Sequence, residues 1–216
     1  MNKYLYSFIL LHGFTMDGGD MEYYENKIKE NYRGTTIKFI KPTSSKIKIS
    51  IYKGTKYNSL YDYYTPNCDK EPIINEKQLI NNRKRIHNLL HKEIHYHNDP
   101  RKVFLAGMSQ GCCMALDAGL TFPQRIGGII GFKGHVIKRT LSDFNSNQKV
   151  WVCHGINDRT IYYDFAKETY NNLKEKNNNL FLLTQNSNHG MSSGIINQMK
   201  SIKNIFILNK DRINTQ

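Results

Sequence analysis

The chain has 216 residues, 39% of them hydrophobic and 12% aromatic, which supplies a substantial core and excludes disorder as the main state. Its 31 lysines and arginines stand against 18 aspartates and glutamates, but the basic residues are scattered. The longest basic run is Arg83-Lys84-Arg85, and no zinc-finger spacing, basic zipper or aromatic RNA-binding signature accompanies it, so a specific nucleic-acid partner is not expected.

The first apolar run, residues 4–11, leads straight into His12-Gly13 with no small-residue cleavage site, and reads as a buried first strand instead of a signal peptide. Further strands are expected at 36–40, 102–106, 126–131, 149–153 and 180–184. They alternate with helix-period segments at 73–94, 110–122, 163–176 and 194–208, the pattern of a mostly parallel sheet covered by helices on both faces. In 73–94, Leu79, Ile86, Leu90 and Ile94 mark one apolar face before Asp99-Pro100 stops the helix. Residues 41–72 fit neither period and carry Tyr52, Tyr57, Tyr61, Tyr63 and Tyr64, so a site-lining loop or a surface excursion is expected there. No repeat or linker divides the chain, which reads as a single domain over 1–216, with its core at about 4–208 and a polar tail. No stretch nears the roughly 20 apolar residues of a membrane span. Cys68, Cys112, Cys113 and Cys153 contain no C-x-x-C pair, which argues against a disulfide framework or zinc site and for a reducing, cytoplasmic setting.

Gly107-Met108-Ser109-Gln110-Gly111 has the form G-x-S-x-G between an apolar run and a helix-forming segment. That context matches a nucleophile elbow, in which a sharp turn exposes the serine and the helix N-terminus faces developing negative charge. A serine needs a base and an orienter, expected in the order Ser, Asp, His at later strand ends. Asp117 falls in the helix after the serine and Asp143 in a polar connection, whereas Asp158 follows the apolar run Val150-Trp151-Val152-Cys153 by a short loop. His189 follows Leu180-Phe181-Leu182-Leu183 and is the candidate base. His154 also ends a strand, but it precedes Asp158 so closely that one loop would have to present both base and orienter. The backbone N–H groups of Gln110 and Phe14 are the candidate oxyanion donors.

These motifs carry a family resemblance. Leu11-His12-Gly13 with Asp17-Gly18-Gly19-Asp20, the Ser109 elbow, His154-Gly155-Ile156-Asn157-Asp158 and Asn188-His189-Gly190 together resemble the α/β-hydrolases of the phospholipase/carboxylesterase group, which contains acyl-protein thioesterases and small bacterial carboxylesterases. The resemblance spans about residues 4 to 208. It implies an α/β-hydrolase fold without a separate lid domain, no cofactor, and hydrolysis of carboxylic esters or thioesters through an acyl-enzyme. The implied partners are a small acyl ester or thioester, an acylated protein or a lipid. Tyr61 and Met108 are the candidates for the substrate pocket. The chain departs from the family pattern at Met108 and Cys112 of the elbow, at Leu60-Tyr61-Asp62, and at Arg159, where a proline is usual.

Three other readings compete, one of them a non-specific binder of an anionic polymer or nucleic acid on the strength of the formal charge of +13, which steep salt dependence of binding would mark. A catalytically silent α/β-hydrolase scaffold could serve as a binding protein, since fold alone does not prove function. His87, His91 and His95 recur every fourth residue, but no carboxylate or cysteine completes a shell around them. They read as a solvated helix flank, and no metal is expected.

Overall fold

The computed structural model describes residues 4–32, 34–142, 144 and 147–190. The expected helix at 194–208 and Asp143 lie outside the described residues. Among the described residues eight strands are present: β1 (Tyr6–Leu11), β2 (Ile37–Ile40), β3 (Lys46–Ile49), β4 (Thr55–Asn58), β5 (Val103–Met108), β6 (Gly128–Phe132), β7 (Val150–Gly155) and β8 (Leu180–Gln185). Six form one sheet in the order β2-β1-β5-β6-β7-β8, and every neighbouring pair is parallel. The inner strands β5, β6 and β7 are buried throughout, as expected where both faces of a parallel sheet are covered.

Among the described residues four α-helices flank the sheet: α1 (Glu22–Asn31), α2 (Glu76–His97), α3 (Gln110–Leu120) and α4 (Tyr163–Lys176). On one face Ile9, Leu11, Leu105, Ile129 and Val152 pack with residues of α2, α3 and α4. On the other, Phe8, Leu10, Phe104, Ile130 and Phe132 pack with Tyr24 and Ile28 of α1. The fully buried Asp117 ties α3 to its neighbours. It accepts from Arg83 of α2 at 2.6 and 2.8 Å and from Thr140 at 2.7 Å. Removing the arginine would leave a buried carboxylate without its cation, typically a cost of about 3–5 kcal/mol.

Three expectations need correction. Residues 41–72 are not a plain loop: β3 and β4 form an antiparallel hairpin whose turn places Lys53 and Gly54 at positive φ. The helix expected at 73–94 begins at Glu76, because the backbone before it is extended: Tyr64 N–H donates to Ile73 O and Ile74 bridges Tyr63. Asn75 caps it by accepting from Gln78 N–H at 3.1 Å. Nor is His87 fully solvated: it is half-buried, whereas His91 and His95 are exposed as expected. His87 meets Ala118 O at 2.8 Å and packs edge-on to Phe122, against which His91 also lies.

Candidate active site

β5 ends at Met108 and α3 begins at Gln110, so Ser109 alone makes the turn. It does so at φ 54°, ψ −118°, a backbone region that costs a non-glycine residue about 1–3 kcal/mol. Its N–H donates to Phe132 O at 2.8 Å. The flanking glycines make the turn possible. A Cβ on Gly107 would lie 2.1 Å from Gly111 O, and one on Gly111 would lie 2.2 Å from Leu11 O, so a side chain at either would push the helix off the strand ends.

Three loops converge on this turn. His189 Nε2 lies 2.9 Å from Ser109 Oγ, and His189 Nδ1 lies 2.7 Å from Asp158 Oδ2. The other oxygen of Asp158 accepts from the N–H groups of Thr160 at 2.8 Å and Ile161 at 2.9 Å. Burial works to raise the Asp158 carboxyl, but the hydrogen bond and charge of His189 and the two backbone donors outweigh it and hold the group below its ordinary value. An ionised Asp158 keeps the imidazole proton on Nδ1 and leaves Nε2 free to accept from the serine hydroxyl.

The loop after β1 supplies the remaining parts. Buried His12 accepts from Ser44 N–H through Nε2 at 2.9 Å, so its Nδ1 carries the proton and donates to Gly13 O at 2.7 Å. In a trans peptide the carbonyl and the following N–H point oppositely. Fixing Gly13 O toward His12 therefore turns Phe14 N–H the other way. The same loop abuts the elbow, since a Cβ on Gly13 would be 3.4 Å from Ser109 Cβ. Gln110 contributes the second candidate donor, because the first N–H groups of a helix have no intrahelical acceptor.

The side chain of Gln110 has a role that no motif announces. Fully buried, it accepts from Leu60 N–H at 2.9 Å and donates to Tyr61 O at 3.0 Å, which anchors the segment after the hairpin to the elbow. Met108 is buried beside Ser109. Tyr61 is buried with its ring 5.3 Å from that of Tyr63. Phe14 stacks on Tyr52 at 5.8 Å and meets Tyr57 and Tyr63 edge-on, so the aromatic excursion packs against the candidate oxyanion loop. Lys133, just beyond β6, was not flagged by the sequence. Its only signal was a charged residue ending an apolar strand.

A mostly parallel sheet with a serine elbow after a central strand and helices on both faces defines an α/β-hydrolase. The chain matches the phospholipase/carboxylesterase family model over residues 5–208 and belongs to that family, so it is a hydrolase of that type. It is 25% identical over 178 residues to acyl-protein thioesterase 1 of Yarrowia lipolytica, covering 78% of each chain. It is 29% identical over 167 residues to acyl-protein thioesterase 1 of Gibberella zeae, covering 71% of this chain and 69% of that one. Among solved structures, SOBER1 of Arabidopsis thaliana superposes with a TM-score of 0.82 at 21% identity, covering 92% of this chain and 97% of that one.

Proposed function

We propose that the protein cleaves carboxylic esters or thioesters through an acyl-enzyme on Ser109. The observation that carries this reading is the unbroken hydrogen-bonded chain from Ser109 through His189 to Asp158. His189 Nε2 takes the Ser109 proton as Oγ bonds to the acyl carbon. The oxyanion is then met by the N–H groups of Phe14 and Gln110. His189 returns the proton to the departing alkoxide or thiolate. A water molecule, deprotonated by the same nitrogen, releases the carboxylic acid and restores the serine.

The names of the fungal relatives support an acylated protein as one substrate class, with a small ester or thioester as the minimal substrate. Four free cysteines, three of them buried, fit a reducing, cytoplasmic setting. A fluorophosphonate probe followed by peptide mapping tests the assignment, together with hydrolysis of p-nitrophenyl esters and thioesters of rising chain length by wild type and Ser109→Ala. Labelling at Ser109 alone and loss of turnover in the variant are expected. Labelling elsewhere, or an active Ser109→Ala, would refute it. A folded wild type that neither labels nor turns over would favour the silent scaffold.

A further inference from the structure

β6 is the central strand that supplies no member of the Ser109–Asp158–His189 set, yet its last residue, Phe132, bonds the Ser109 turn, and the residue that follows, Lys133, bonds both β7 and the His189 connection. Ser109 N–H donates to Phe132 O at 2.8 Å, and Lys133 N–H donates to Cys153 O at 2.8 Å on the strand leading to Asp158. To fit there Lys133 adopts φ 54°, unfavourable for a long side chain. That side chain is buried, and its ammonium donates to Asn188 O at 2.6 Å and to Gly190 O. These carbonyls flank His189 on either side. Among the described residues no carboxylate lies within ion-pair distance of the ammonium, and a buried cation without such a partner is costly unless its hydrogen bonds are well made. The strain and the burial both serve one contact.

We propose that Lys133 is a positioning residue for the catalytic base: its ammonium clamps the two peptide carbonyls around His189 and so holds the imidazole between Ser109 and Asp158. This rests on the reading of His189 as the base. The start of the connection that carries His189 is tied to the Asp158 loop, where Asn157 N–H donates to Ser187 O at 3.1 Å and Asn157 Nδ2 donates to Asn186 Oδ1 at 2.5 Å. At its far end the described bonds, besides those of Lys133, are those of the His189 ring to Ser109 and Asp158 and of Gly190 N–H to Asn188 Oδ1 at 3.0 Å. Hydrogen bonds to backbone carbonyls fix the loop without competing for the imidazole nitrogens. A lysine suits this because its three donors can serve two acceptors.

The test compares Lys133→Met, which keeps the stem and removes the donors, with Lys133→Gln and Lys133→Arg. Two things are read on folded protein: ester hydrolysis, and the low-field proton resonance of His189 Nδ1–H together with amide exchange at residues 186–190. In Lys133→Met, kcat should fall on the order of 10- to 100-fold, the scale set by small misplacements of catalytic groups, with KM changed less than twofold. The resonance should broaden away and exchange should quicken. Lys133→Arg, which keeps a cation able to reach both carbonyls, should retain the resonance and most of kcat, and Lys133→Gln should fall between. If Lys133→Met does not fold, Arg and Gln must still rank in that order. A folded Lys133→Met with unchanged kcat and an intact resonance, or Gln equal to Arg, would overturn the proposal. The resonance and the exchange rates decide even if wild type hydrolyses nothing, so failure of this inference is separable from failure of the hydrolase reading.

Discussion

His154 Nε2 stands 3.4 Å from Asp158 Oδ2, the same oxygen that meets His189 Nδ1 at 2.7 Å. Two histidines thus share one carboxylate oxygen, but only His189 also reaches the serine. His154 spends its Nε2 proton on Ile161 O at 2.9 Å, and its Nδ1 is buried without a partner among the described residues. Burial keeps its pKa below the ordinary histidine value, so it is a neutral support for the Asp158 loop.

The two histidines should therefore fail differently. His189→Ala should lower kcat on the order of 10³-fold or more with little change in melting temperature, as expected when a base is removed from its nucleophile. His154→Ala should lower the melting temperature and, in the folded fraction, leave most of kcat. Steady-state kinetics normalised to active-site titration separates the outcomes. An active His189→Ala beside an inactive, folded His154→Ala would reverse the assignment.

Cys112 and Cys113 lie directly behind the elbow on α3, fully buried. Burial pushes the Cys113 thiol up to about 12 and raises that of Cys112 well above the usual thiol range. Since the thiolate is the reactive form, iodoacetamide at pH 8 should leave both unmodified in the native protein and should find the half-buried Cys68 first. Esterase activity should survive this treatment. Mass mapping that shows alkylation at Cys112 or Cys113 before unfolding would contradict the packing described here.

Phe14 joins the candidate oxyanion loop to the hairpin through its stack on Tyr52 and its edge contact with Tyr57. Tyr52→Ala and Tyr57→Ala should therefore shift the preference among acyl-chain lengths more than they change turnover of the shortest ester, because they alter the packing on Phe14 and not the hydrogen bonds of the serine. The ratio of kcat/KM for an octanoyl over an acetyl ester, measured for each variant, is the readout. An unchanged ratio would assign the hairpin to the surface alone.

The sheet was legible because its inner strands are apolar runs buried on both faces, and each expected strand lies within two residues of an observed one. Ser109, Asp158 and His189 each stand just past an apolar run, and His189 lies within hydrogen-bond distance of the other two. The hairpin was hidden because its order comes from distant partners. Ser50 binds Asp62, Asp62 N–H meets Gln78, and Gln110 holds Leu60, contacts that leave no period in the local sequence. α1 was missed for a related reason: it buries only Tyr24 and Ile28, too few to mark a helical stripe. Lys133 was invisible because it binds backbone carbonyls, which carry no residue signature.

His135 gives the protein an acid sensitivity separate from its catalysis. Its Nδ1–H donates to Val136 O at 3.2 Å, while Nε2 is buried with no partner among the described residues, and the ring packs on Phe165. Burial pulls its pKa down to about 4, whereas in the unfolded chain it would titrate near 6.5. As pH falls below about 6.5 the unfolded state therefore takes up a proton that the native state refuses, and stability must decline. For this one group the folding equilibrium constant drops by up to about tenfold per pH unit, levelling off below about 4, where the native histidine is protonated as well. His154, whose pKa is also lowered by burial, acts in the same direction. Urea denaturation of wild type from pH 8 to pH 4 should show this loss, and His135→Leu, with no proton to bind at that position, should show a shallower decline. Parallel curves for the two proteins would mean that His135 does not contribute.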